Sequence, residues 1–258
     1  MKMKFATAIA AATGLIVVSQ AHAADLPARP YYKAPPVAYL PWNNCYVGVT
    51  LGYTRSADSD PTITSVDPNF LLSQTLGNVP SRLSSVPDGV IGGGTIGCNR
   101  QFDRIVLGVE ADISGTSVRD TVAVTQGFAT VTTALTREMD VFGSLRGRLG
   151  YAFDNTLIYA TGGLAFAHLQ STASIAPAVP GGSVLAGSED NWRGGWTVGG
   201  GIEHMFAPNW SVKGEYLYYD LGTTDVALVT IAGAPNETGT ISHSNTGHII
   251  RAGLNYHF

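Results

Sequence analysis

From Cys45 onward the chain keeps returning to one pattern, an apolar side chain at every second position with small or polar residues between. In 45–53, Cys45, Val47, Val49, Leu51 and Tyr53 alternate with Tyr46, Gly48, Thr50 and Gly52. A period of two with one apolar face predicts a β-strand. The alternation recurs in 90–98, 105–112, 141–149, 156–168, 196–206, 210–218 and 248–258. After the N-terminus no stretch offers the ~20 apolar residues of a spanning helix, whereas these segments are close to the ~9–11 residues with which a tilted strand crosses a bilayer.

The links sharpen this picture. Those at 99–101, 154–155 and 208–209 are short turns, whereas 55–88, 113–138, 169–191 and 222–247 are long. Long and short alternate throughout, as in barrels with short periplasmic turns and long external loops. An even strand count places both ends of the sheet on the periplasmic side. The charged residues Glu110, Asp112, Arg146, Arg148, Glu203, Lys213, Glu215 and Arg251 all fall on the less apolar parity of their strands. A closed sheet leaves no unpaired backbone edge in lipid. The expected fold is therefore all-β, a transmembrane antiparallel up-and-down β-barrel of about eight strands. Trp42, Tyr53, Phe153, Trp192, Trp196, Phe206, Trp210, Tyr218, Tyr256 and Phe258 lie near strand ends, where aromatic girdles are expected.

The N-terminus sets the compartment. Lys2 and Lys4, an apolar run over 5–18 and Ala21-His22-Ala23 have the three parts of a secretory signal peptide. We read 1–23 as that signal, 24–41 as a Pro-rich periplasmic segment, and 42–258 as the barrel. Five of the 13 prolines fall in 24–41, which suits an extended tether and not a sheet. Charged residues make up 13% of the chain and Gly 31 of 258 positions. Against ~25% charged and ~7% Gly in ordinary globular proteins, that composition suits a wall with lipid outside and a narrow lumen inside. The signal holds two of the 15 basic residues and none of the 19 acids, so the rest of the chain carries −6. It has no basic run, which argues against nucleic acid as a partner.

Cys45 and Cys98 are the two cysteines, an even count in an oxidising compartment. They lie near the periplasmic ends of two antiparallel neighbours and share the apolar parity, so a disulfide is expected. Of the inward charges, Glu110, Asp112, Glu203 and Glu215 oppose Arg146, Arg148, Lys213 and Arg251, four against four. Paired in a narrow lumen they would close it, because unpaired buried charge is costly. No cofactor or metal site is expected. His243, Ser244, Glu237 and His248 are the residues a hydrolase would draw on, but neighbours in a loop do not by themselves supply nucleophile–base geometry, and no catalysis is expected. His243 on an external loop is the candidate iron ligand of a haemin-binding reading. His168 reads as an interface residue.

The final strand ends Leu254, Tyr256, Phe258 on one face. This resembles the terminal signal read by the barrel-assembly machinery. Tyr46-Val47-Gly48, 92–97 (GGGTIG), 107–112 (LGVEAD), 144–151 (SLRGRLGY), 159–165 (YATGGLA) and 199–203 (GGGIE) form an ordered series. Over 42–258 that series resembles the small surface barrels of alphaproteobacteria, within the opacity-type and OmpA-like barrel superfamily. The cysteine pair departs from that pattern, so the resemblance does not support the disulfide. The resemblance implies an outer-membrane barrel that is structural and exposed at the surface, contributing to envelope integrity and surface contact. A porin-like channel for ions or small solutes, and an adhesin for haemin or host surfaces, are the alternatives. Implied partners are outer-membrane lipid and lipopolysaccharide, the assembly machinery and, for the Pro-rich segment, periplasmic envelope components.

Overall fold

A ring of eight long antiparallel strands is what the alternation builds. The computed structural model describes residues 41–57, 60–128, 130–233 and 236–258. The signal segment and, apart from Pro41, the Pro-rich segment lie outside the described residues. The ring consists of β1 (Cys45–Ser56), β3 (Asp88–Phe102), β4 (Ile105–Gln126), β5 (Val131–Phe153), β6 (Thr156–Pro177), β7 (Val184–Ala207), β8 (Trp210–Ala232) and β9 (Thr238–His257). Each pairs with the next, and β1 pairs with β9 from Tyr46↔His257 to Ser56↔Gly247, closing the sheet. Closure removes both edges. Among the described residues no helix is long and apolar enough to cross a membrane.

The apolar parity faces out. Val49, Leu51, Val109, Ile113, Leu145, Leu164, Ile202 and Ile250 are all exposed on the barrel wall, as a lipid-facing band requires. Aromatics border it below (Phe153, Phe206, Trp210, Tyr256, Phe258) and above (Tyr53, Trp192, Trp196), all exposed. Trp42 departs from the girdle expectation. It is wholly buried, its amide donating to Gln101 Oε1 at 3.1 Å and its indole Nε1 to the Asp154 carbonyl at 3.2 Å. Just before β1 the chain turns in beneath the barrel, so this ring corks the periplasmic end. The first short turn also moves: β3 runs through 99–101, and the turn is at Asp103-Arg104. There Asp103 adopts φ 54°, a left-handed conformation that Asp tolerates.

Three of the four long links are mostly strand. β4 and β5 continue as a ladder to Gln126↔Val131, β6 and β7 to Ile175↔Leu185, and β8 and β9 to Val229↔Thr238. The wall thus rises well beyond the apolar band, and its outer face changes to hydroxyl and charge. Thr121 bonds Thr136 and Thr125 bonds Thr132, and Arg119 meets Glu138 at 2.8 Å. Register shifts at Gly115/Val118, Met139/Val141 and Asp220/Thr223 lie near this transition. In β5 the shift moves the buried positions from even numbers, Phe142 and Ser144, to odd ones, Met139 and Arg137.

The first long link alone is irregular, and it folds back over the mouth. It holds β2 (Thr62–Thr64), which pairs with β9, and α1 (Pro68–Thr75). Asp67 caps α1 by accepting from the amides of Asn69 and Phe70, and Pro68 opens it, as helix starts favour. Phe70 is thereby turned down into a buried apolar cluster with Ile63, Val79, Leu83, Leu135 and Leu228.

Candidate functional site: the charged lumen

The inward face of the barrel is filled in layers. Above the Trp42 cork lie Val106, Ala152, Leu157 and Met205. Next comes the charged layer, in which all eight predicted residues meet. Arg146 pairs with Glu110, with Asp112 at 3.2 Å and with Glu215 at 2.9 Å. Arg251 joins Asp112 at 2.9 Å and Glu215 at 2.7 Å. Arg148 reaches Glu203 at 2.7 Å and Glu110 at 3.6 Å, and Lys213 Nζ reaches Glu110 at 2.7 Å. Every one of these side chains is at most 1% exposed. Every acid touches at least one base, which is the arrangement that keeps buried charge tolerable. Arg suits the role because its planar fork serves several carboxylate oxygens at once.

Sequence reasoning missed the uncharged members of this layer. Tyr46 donates to Glu110, Tyr159 to Glu215 at 3.1 Å, and Ser144 to Asp112. Ser211 and Asn255 donate to Glu203 at 2.6 and 2.7 Å. The Arg148 guanidinium lies over the Tyr159 ring at 3.9 Å. The signal was present, since Tyr46, Tyr159 and Asn255 share the parity of the charges. Two inward glycines make the room. A Cβ on Gly97 would lie 2.4 Å from the Tyr46 hydroxyl, and one on Gly201 2.7 Å from that of Tyr159. Above the charges, Phe142, Leu217, Tyr219 and Ile249 form an apolar floor. Over it stand Arg137, Ser171, His243 and Asn245, and then the cluster beneath α1.

The profile of the family described as outer membrane protein beta-barrel domain matches residues 8–258. The chain belongs to this family. It is 31% identical over 256 residues to the 31 kDa outer-membrane immunogenic protein of Brucella melitensis, covering 97% of this chain and 98% of that one. It is 28% identical over 162 residues, 63% of each chain, to a 22 kDa outer membrane protein of Rhizobium leguminosarum. Among solved structures, outer membrane protein OprG of Pseudomonas aeruginosa is similar at 14% identity and TM-score 0.49, covering 83% of this chain and 96% of that one. As a member of the outer-membrane β-barrel family, the protein resides in the outer membrane, with homologues in alphaproteobacteria.

The histidines that a catalytic or haemin-binding reading would use are placed otherwise than on a loop. His243 lies within β9, buried, with Nε2 3.3 Å from Ser171 Oγ. Extension of the β8–β9 hairpin, together with inward parity, turns this ring into the lumen, away from solvent. The neighbouring Ser244 uses its carbonyl to accept from Arg137 at 3.0 Å. His248 faces out, its Nδ1 2.6 Å from the Tyr216 hydroxyl. Glu237 is at the hairpin tip, so the four candidates do not converge. His168 also faces out, between Asp190 at 2.9 Å and Asp140 at 3.5 Å, against the Trp192 ring. Among the described residues no group of three or more His, Cys, Asp or Glu could hold a metal ion.

Cys45 and Cys98 sit directly opposite in the β1–β3 ladder and are joined by a disulfide. Thiol titration of the purified protein under denaturing, non-reducing conditions should find no free sulfhydryl. Two thiols per chain would contradict the bond.

Proposed function

We propose that the protein is a sealed structural and surface-contact barrel that contributes to envelope integrity and holds its hairpin tips outside the cell. One observation carries the reading: the lumen is occupied from the Trp42 cork, through the ion-pair layer, to the cluster under α1. Eight strands enclose a space that side chains can fill, whereas aqueous channels come with sixteen or more strands. The tall hairpins support the surface role, as do relatives named immunogenic proteins of the outer membrane. Among the described residues no side-chain cluster favours a catalytic role. Planar-bilayer recording of the refolded chain tests the sealed state. Protein verified as folded should give no steady conductance steps. Steps on the nanosiemens scale would overturn the proposal in favour of the channel.

A further inference from the structure

A second concave site lies at the opposite end from the cork. Between α1 and the tips of β5, β6 and β7 is a pocket of about 240 Å³. Phe70, Val79, Ile175, Val179 and Leu185 give it apolar walls, and Glu237 stands among them. Ligand pockets are mostly apolar, with a few placed polar groups that fix orientation. This one has room for about eight water-sized groups, enough for one small organic molecule.

The backbone that carries Glu237 is held in place. The Glu237 amide donates to Thr230 Oγ1 at 2.8 Å, and the Thr230 hydroxyl donates back to the Glu237 carbonyl at 3.1 Å. Partial burial lifts the Glu237 carboxyl above its ordinary range, and the negative charge of Asp67 adds to this. Among the described residues neither acid forms a salt bridge with Lys or Arg within 4 Å. A cation brought here would relieve both effects, whereas an anion would meet two like charges. Exposed apolar side chains also stand close in the chain to residues of the lining or its contacts. Gly127 lies against Asn78, which lines the pocket, and the next residue, Phe128, is fully exposed. Leu76 and Val179 are also exposed.

We propose that this outer pocket binds a small amphipathic cation, an aryl- or alkylammonium whose apolar body fills the cavity while its ammonium meets Glu237. The proposal rests on the surface-contact reading only in taking this end to face outside. The same chemistry is presented by a free amine and by a lysine side chain next to an aromatic one.

Equilibrium dialysis of the refolded protein against protein-free micelles tests the idea, with 2-phenylethylamine as probe. Controls are 2-phenylethanol, 3-phenylpropanoate and a capped Phe-Lys dipeptide. The amine should be retained at one per chain and the alcohol about tenfold more weakly, the worth of one charge-assisted contact. The propanoate should not bind. Glu237→Gln should weaken the amine about tenfold and leave the alcohol unchanged. Ser73→Phe, which places a ring in the pocket from α1, should abolish both, with heat-modifiable migration showing that each variant is folded. Dipeptide binding at least as tight as that of the free amine would assign the source to an exposed lysine side chain, and weaker binding to a free amine. Micelle-level uptake of the amine, equal binding of the propanoate, or an undiminished Glu237→Gln variant would overturn the proposal. Binding in micelles does not depend on which way the tips face or on conductance, so the surface reading can fail separately, by bilayer recording or by protease treatment of intact cells.

Discussion

Arg146→Ala is expected to destabilise the folded barrel by ~3–5 kcal/mol, the usual cost of removing one member of a buried ion pair. Arg146 is wholly buried and contacts Glu110, Asp112 and Glu215. Its removal leaves the layer's four carboxylates with only Lys213, Arg148 and Arg251 as bases, so the layer carries one uncompensated negative charge. No apolar rearrangement can supply the lost donors, because the floor at Phe142 and the cork at Trp42 close the layer on both sides. Arg119→Ala is the control. Arg119 also forms an ion pair, with Glu138 at 2.8 Å, but its side chain is 69% exposed. A pair of that kind contributes ~0–1 kcal/mol. Urea unfolding of both variants in the same detergent, followed by tryptophan fluorescence and gel mobility, reads the difference. A wild-type midpoint for Arg146→Ala would mean that the lumen is wetter than the geometry indicates.

Deleting Phe258 should remove most of the protein from the outer membrane while barely changing the stability of barrel refolded in detergent. In the folded state Phe258 contributes one hydrogen bond, its amide donating to the Cys45 carbonyl at 2.9 Å, and a ring 65% exposed on the lipid side. The rest of the seam, Tyr46↔His257 through Ser56↔Gly247, is untouched by the deletion. Losing one such bond costs about 1 kcal/mol. A large loss in cells therefore has to come from recognition of Leu254, Tyr256 and Phe258 before the seam closes. Phe258→Trp, which keeps an aromatic terminus, should restore membrane levels. Undiminished heat-modifiable barrel in outer membranes of the deletion strain would end the assembly-signal reading. An equal loss in cells and in refolding yield would make Phe258 structural instead.

Strand count, ring topology and the inward charges were legible because lipid outside and a narrow lumen inside impose opposite demands on successive residues. The pattern was lost where one demand lapsed. Above the bilayer band the outer face of the β4–β5 hairpin turns polar, at Thr121, Thr125, Thr132 and Thr136, while Val131 and Leu135 keep the inner face apolar, so the outward-apolar alternation that marks the wall is reversed there and the segment reads as loop. The parity change near Asp140 compounds this, since a bulge shifts every later residue to the other face. His243 was misplaced for the same reason. Trp42 was misread because a terminal aromatic fits a girdle and a cork equally well on sequence alone. Which charge meets which depends on neighbours distant in sequence, such as Asp112 and Arg251, and no spacing rule reaches that far.

The upper ladder also sets a stand-off distance. Residues 116–126 of β4 lie beyond the apolar band. At ~3.3 Å per residue and a tilt of ~45°, they lift the hairpin tip ~25 Å, nearly the thickness of a second hydrocarbon core. Because the lift is hydrogen-bonded sheet, the tips are carried on a stiff mast instead of a tether. Whatever the tips meet is met well above the bilayer surface, without the reach and orientation being averaged away by chain motion.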